Sequence, residues 1–207
     1  MAHGNISRVR ELLRLRPALA NAAWDWGFGD WESALGAASH MGNREIAEVL
    51  LEHGAGPTLF SATMLGQLSV VKAMISAQPG VERTAGPHGI SLMAHARAGG
   101  SQSEAVLQYL QGLKNPQTTR PEAMSEEELS KLTGDYVFGS GLNDHVVISE
   151  KDGQLTFTRT GASGRPLRYV GDPTFHPAGA GGVRIRFGED SVMTIHDGDL
   201  FVKASRP

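Results

Sequence analysis

This sequence contains no cysteine among its 207 residues. The absence excludes disulfides, thiolate nucleophiles and cysteine-ligated zinc, although it leaves the cellular compartment open. No apolar stretch reaches the roughly 18 residues of a membrane span, so we predict no membrane-spanning segment. Neither sign of charge dominates, because the chain has 19 Lys and Arg and 22 Asp and Glu, for a formal net charge of −3. The chain therefore lacks the basic surface typical of nucleic-acid binding, and no nucleic-acid partner is predicted.

Catalytic motifs are also missing. The Gly-rich runs at 161–164 and 179–182 precede no helix and carry no Lys-Ser/Thr, so they are interpreted as hairpin turns. Ser69 and Lys72 form a Ser-x-x-Lys spacing, but no Ser-Asp-Asn or Lys-Thr-Gly accompanies it. We predict no catalytic residue and no cofactor, although an enzyme of unrecognised type stays open as a weaker alternative.

The first half of the chain is self-similar. Three segments begin with a glycine and continue with apolar residues at helical spacing, starting at Gly4, Gly42 and Gly66, and a weaker copy starts at Gly99. This spacing predicts short amphipathic helices. One such unit cannot bury its own apolar face, so several must stack to form a core.

These segments resemble the ankyrin repeat. In the second copy, Ser33-Ala34-Leu35-Gly36-Ala37-Ala38 stands at the family's Thr-Pro-Leu-His-x-Ala motif, and Leu50-Leu51-Glu52-His53-Gly54-Ala55 at its Leu-Leu-x-x-Gly-Ala motif. The resemblance implies 3.5–4 degenerate repeats over residues 1–112. Only Met1-Ala2-His3 precedes the first copy, so we expect either a half-unit or a piece of a longer precursor. A precursor with a removed signal would imply a periplasmic or secreted protein, and the chain as it stands a cytoplasmic one.

The pattern changes after residues 113–128, where Pro116 and Pro121 predict a linker and Ser125 with Glu128 predicts the capping box of a short helix. Residues 129–207 alternate apolar and polar positions between turn signals, which predicts about eight short antiparallel strands closed into a meander barrel. The predicted strands are Asp135–Phe138, His145–Ser149, Gln154–Arg159, Leu167–Val170, Thr174–Phe175, Val183–Phe187, Ser191–His196 and Leu200–Lys203. The predicted fold class is α+β in two domains.

The barrel half also resembles a family, the lipocalin-like domain at the C-terminus of some bacterial serine hydrolases of the β-lactamase and penicillin-binding class. The resemblance rests on Leu132-Thr133-Gly134-Asp135-Tyr136, Asp152-Gly153-Gln154-Leu155-Thr156-Phe157, and Val183-Arg184-Ile185-Arg186-Phe187. In that family the domain is an accessory, which implies a non-catalytic role here.

All three tryptophans lie in one short run between the first two repeat copies. Tryptophan is enriched at the centres of protein interfaces, so we predict a partner-binding patch. Its members are Trp24, Trp26, Phe28 and Trp31. The alternative is that these rings pack on the first helices or on the barrel. The leading hypothesis is thus a protein-interaction module with an unknown protein partner, and the β domain as a cap on the last repeat or a second contact surface.

The runner-up hypothesis is a carrier for a small apolar ligand, because an eight-stranded barrel is just wide enough for one; the alternative is a barrel filled by its own side chains. Its predicted lining consists of Tyr136, Phe138, Phe157, Phe175 and Phe187.

His145, His176 and His196 fall in the barrel half, but their spacing matches no metal motif. His40, His53 and His95 occupy ordinary positions of the helical half. We therefore predict no metal site. Four arginines of the sheet are predicted to face solvent: Arg159, Arg168, Arg184 and Arg186.

Overall fold

The chain is a mixed α+β protein, with helices in its first half and a closed antiparallel barrel in its second. A computed structural model describes residues 4–113, 124–189 and 191–207. Within these residues the chain divides into two compact units. The first holds residues 4–25 and 31–113, and the second holds Trp26–Asp30 and the described residues from 124 onward. The predicted linker prolines, Pro116 and Pro121, lie outside the described residues.

The first unit is built from short helices and one small hairpin. In chain order its elements are α1 (Ile6–Leu15), a 3-10 helix (Pro17–Asn21), β1 (Ala23–Asp25), β2 (Trp31–Ser33), α2 (Ala34–His40), α3 (Arg44–Glu52), α4 (Leu59–Met64), α5 (Leu68–Ala77), 3-10 helices at Val81–Arg83 and Pro87–Gly89, α6 (Leu92–Ala98), a 3-10 helix at Gly100–Ser103, and α7 (Glu104–Gly112). Helices α2 to α7 form three successive pairs; a tight turn joins the helices of each of the first two pairs, and the 3-10 helix Gly100–Ser103 joins those of the third.

Each pair begins with a capped helix. The side chains of Ser33, Thr58 and Ser91 accept hydrogen bonds from backbone amides one turn into α2, α4 and α6. Such caps satisfy donors that the helix itself leaves unpaired. The turns of the first two pairs contain Gly42 and Gly66, both with positive φ. A Cβ at Gly66 would also collide with the Gln102 carbonyl, so this turn requires glycine.

The three pairs pack closely on one another. Helix α2 contacts α3 and α4, and α6 contacts α2 as well as α4. In an extended repeat array each unit contacts only its neighbours. Here the third pair also reaches the first. Gly42 marks that contact, because a Cβ there would meet the Ala98 carbonyl at the end of α6.

The second unit is an eight-stranded barrel preceded by a short helix. Helix α8 (Glu126–Lys131) begins after Ser125, whose side chain forms a capping box with Glu128. The capping bonds lower the pKa of the Glu128 carboxyl. The strands are β3 (Gly134–Val137), β4 (His145–Lys151), β5 (Gln154–Arg159), β6 (Arg165–Gly171), β7 (Thr174–Pro177), β8 (Arg184–Phe187), β9 (Val192–Asp197) and β10 (Leu200–Ser205). Each strand pairs with its neighbours in sequence, and β10 closes on β3.

The predicted barrel is thereby confirmed, and each predicted strand has a counterpart. Strand β8 shows why the sequence pattern predicts a strand. Ile185 and Phe187 are buried, whereas Arg184 and Arg186 are exposed. The prediction that these two arginines face solvent is also confirmed. A strand with one buried and one wet face must alternate in this way.

One arginine behaves differently. Arg165, at the start of β6, is only 3 % exposed. Its guanidinium donates hydrogen bonds to the carbonyls of Ala178 and Phe28, at 3.1 and 2.8 Å, and its Nε lies 4.0 Å from the buried Asp30 carboxylate. Burial lowers the pKa of Arg165, while Asp30 and Asp197 oppose that shift. This arginine is thus a buried, charged anchor inside the second unit.

Candidate functional site

Two of the three tryptophans lie on the surface of the first unit. Trp24 is 65 % exposed and Trp31 is 61 % exposed. They occupy neighbouring strands of the hairpin, where Trp24 pairs with Glu32 and Asp25 pairs with Trp31. Because directly opposed residues of an antiparallel pair share a face, Trp24 and Trp31 lie on opposite faces of the hairpin. Each face therefore presents one indole ring.

The other two residues of the predicted patch belong to the second unit. Phe28 is 6 % exposed and lies in the barrel core. Its ring makes edge contacts with Phe138 and Phe157, and the Arg159 guanidinium lies over its face. Trp26 is half-buried. Phe28 thus follows the alternative stated for this segment, in which a ring packs on the barrel, and it offers no surface to a partner.

The barrel interior is occupied by its own side chains. Of the five predicted lining residues, Tyr136, Phe157, Phe175 and Phe187 are buried in the core, and Phe138 packs against it. Ring centroids of Phe187 lie 5.9 Å from Tyr136 and 5.6 Å from Phe175, which are contact distances for edge-on aromatic pairs. Burial raises the pKa of the Tyr136 hydroxyl, which donates a hydrogen bond to the Leu132 carbonyl.

The three histidines of the barrel half serve separate contacts. His145 lies 3.2 Å from Asp135, His176 contacts the Pro177 carbonyl, and the ring of His196 packs on Phe201. Within the described part of the chain these three do not form a group that could hold a metal.

A different group does come together, in the first unit. Glu32, His40 and His88 each offer one ligand atom, and these atoms lie within 4.8 Å of one another. The Oε1 atom of Glu32 is 2.7 Å from Nε2 of His40 and 3.2 Å from Nε2 of His88. The Glu32 side chain is 5 % exposed, and both imidazoles are nearly as buried. We name this group the Glu–His–His cluster.

Three elements bring the cluster together. Glu32 lies on β2, His40 is the last residue of α2, and His88 belongs to the 3-10 helix Pro87–Gly89. The first two are near in sequence, but His88 comes from the 3-10 helix that precedes α6. Sequence reasoning missed the cluster because no local spacing joins these three residues. The only local signal was the position of Glu32 one residue before the helix cap Ser33.

His95 is a second unusual group of the first unit. It is fully buried, and its Nδ1 lies 2.9 Å from the Ser91 carbonyl. Its Nε2 has no hydrogen-bond partner among the described residues. Burial lowers the pKa of His95; the Ser91 bond opposes that shift and the charge of His40 adds to it. The folded protein therefore favours the neutral imidazole.

This arrangement predicts a pH-dependent loss of stability. Since the folded-state pKa is below the ordinary value of 6.5, the unfolded chain binds more protons as the pH falls past that value. Stability should be full above pH 6.5 and decline below it. We expect His95→Phe, which cannot titrate, to lose less stability than the wild type between about pH 7.5 and about pH 5, a range that brackets the ordinary pKa of histidine. Urea unfolding followed by helical circular dichroism measures this, and equal losses in both proteins would contradict it.

Comparisons of the chain with protein-family models, with curated proteins and with solved structures gave no match. Among the residues that the structure describes, no helix is both long enough and apolar enough to cross a membrane.

Proposed function

We propose that this protein is a non-catalytic interaction module that recognises a protein partner through Trp24 and Trp31. The observation that carries the proposal is the exposure of both indole rings, at 65 and 61 %, on adjacent strands of one hairpin. Tryptophan is usually well buried in a folded chain, and at interfaces it is the residue type most enriched among those that dominate binding energy. Two indole rings with this exposure favour a surface that a partner covers.

The hairpin register restricts how that partner binds. Trp24 and Trp31 lie on opposite faces, so a partner that contacts both must extend around the edge of the hairpin. A cleft with two apolar pockets meets this requirement better than a flat surface. Phe28 has no part in this contact, because it is buried in the barrel.

We also propose that the helix pairs are degenerate ankyrin repeats. Their support is the recurrence of a Ser or Thr cap, a short first helix, a glycine turn and a longer second helix. The caps Thr58 and Ser91 are 33 residues apart, which equals the family period of about 33, whereas Ser33 and Thr58 are 25 apart, so the first of these repeats is shortened. The barrel is proposed to be a lipocalin-like accessory domain and a second contact surface; Leu200 and Phe201 are exposed on β10 and support that role.

Affinity capture from the organism of origin tests the partner proposal. The tagged full chain and a Trp24→Ala/Trp31→Ala variant serve as baits, and Leu15→Ala is the matched control, because Leu15 is also an exposed apolar residue of the first unit. We expect one protein to be enriched by the wild type and the control, and lost with the double variant. The variant should keep its thermal midpoint, since exposed side chains contribute little to stability. Equal capture by all three baits would overturn the proposal.

A further inference from the structure

We infer that the Glu–His–His cluster binds a divalent transition-metal cation. The inference is independent of the partner proposal, because it rests on residues that need no second protein. Its basis is the convergence of one carboxylate and two imidazoles from β2, α2 and the turn before α6 at a buried point. Buried ionisable groups are rare unless they are paired or coordinate a metal.

The distances between the ligand atoms of the Glu–His–His cluster are close to those around a bound metal ion. Around a tetrahedral zinc ion, with bonds of about 2.0–2.1 Å, ligand atoms are about 3.3 Å apart. The Glu32 Oε1 atom lies 2.7 Å from one imidazole nitrogen and 3.2 Å from the other. These two edges are shorter than the zinc spacing by about 0.6 and 0.1 Å. The third edge, between the two imidazole nitrogens, is at most 4.8 Å.

The donor set defines the class of cation. Imidazole nitrogen suits Zn²⁺, Fe²⁺, Ni²⁺ and Cu²⁺, whereas Mg²⁺ and Ca²⁺ prefer oxygen ligands. Two histidines and one glutamate are also the number and type of protein ligands found in zinc sites that complete their coordination with water or a bound molecule. The cluster is therefore assigned to a first-row transition metal, with Zn²⁺ as the natural probe.

The backbone conformation of His88 determines where its side chain lies. His88 has φ of 58° and ψ of 17°, in the left-handed region. In this conformation the His88 imidazole reaches the carboxylate of Glu32. A bound cation would tie the hairpin, helix α2 and the 3-10 helix before α6 together.

The test is titration of the metal-free full chain with Zn²⁺ by isothermal calorimetry. Glu32→Gln replaces the carboxylate by an amide of the same shape, and His88→Gln removes one imidazole. His53→Gln is the matched control, because His53 is an exposed histidine of the same unit. We expect one Zn²⁺ per chain, at least a tenfold weaker affinity in each ligand variant, and an affinity within twofold of wild type in the control.

Two further readouts keep the test independent of any one variant. Zn²⁺ should raise the thermal midpoint of the wild type but not of Glu32→Gln, because a ligand that binds only the folded state stabilises it. Co²⁺ should give a visible absorption band that disappears in Glu32→Gln. No saturable binding by the wild type would overturn the inference, as would equal affinity in wild type and both ligand variants, or an equal loss in His53→Gln.

Discussion

Replacing Phe28 by alanine is expected to lower the free energy of unfolding of the second unit by about 3–5 kcal/mol, the usual cost of removing a buried phenylalanine ring. Phe28 contacts Phe138 and Phe157 edge-on and receives the Arg159 guanidinium on its face. Truncation leaves a cavity among residues that come from distant parts of the chain. The effect should therefore be seen in the barrel, although Phe28 precedes the first barrel strand by more than a hundred residues.

Hydrogen exchange read by mass spectrometry on peptides from β4 to β6 measures this effect, since protection there reports the opening free energy of the barrel. Phe201→Ala is the control, because the Phe201 ring is mostly exposed on β10. We expect a change below about 1 kcal/mol in the control. Unchanged protection of the barrel peptides in Phe28→Ala would show that the ring is not part of this core.

Replacing Arg165 by methionine is expected to cost a similar amount, about 3–5 kcal/mol, because it removes one partner of a buried charged pair. Methionine keeps the length of the side chain but loses every donor. The carbonyls of Ala178 and Phe28 lose their hydrogen bonds, and the buried Asp30 carboxylate loses the cation 4.0 Å away. Lysine should restore the charge but not the two-carbonyl geometry, so Arg165→Lys should rescue only part of the loss.

A double-mutant cycle with Asp30→Asn separates the pair from the hydrogen bonds. The double variant should be less destabilised than the sum of the single variants, by about 0.5–3 kcal/mol. Arg186→Met is the control, since Arg186 pairs with Asp172 on the exposed face of the sheet and should cost at most about 1 kcal/mol. Additive losses, or equal losses at Arg165 and Arg186, would contradict the account.

The barrel could be predicted from the sequence because its information is local. A strand with one buried face must alternate apolar and polar residues, and the segment Val183–Phe187 shows that alternation within five residues. Turn signals such as Asp152-Gly153 mark the ends, and both residues have positive φ. The caps and glycine turns of the helix pairs are local for the same reason. Such features need no knowledge of the rest of the fold.

The features that sequence reasoning missed depend on contacts between distant residues. The burial of Arg165 is not predictable from sequence, because nothing beside it shows that the carbonyl of Phe28, 137 residues earlier, accepts its hydrogen bond. Trp24 and Trp31 are exposed, whereas Phe28 in the same short run is buried. Composition alone cannot predict which of these aromatic residues is exposed. His88 likewise reaches Glu32 only through the packing of the third helix pair on the first.

Titration of the captured partner, once purified, into the full chain tests the central claim most directly. Calorimetry with the wild type should give a saturable one-to-one complex. The Trp24→Ala/Trp31→Ala variant should bind at least about thirtyfold more weakly, which corresponds to the roughly 2 kcal/mol of one interface hot spot. Leu15→Ala should bind as the wild type does. Affinities within twofold of one another in all three proteins would contradict the proposal that these two tryptophans hold the partner.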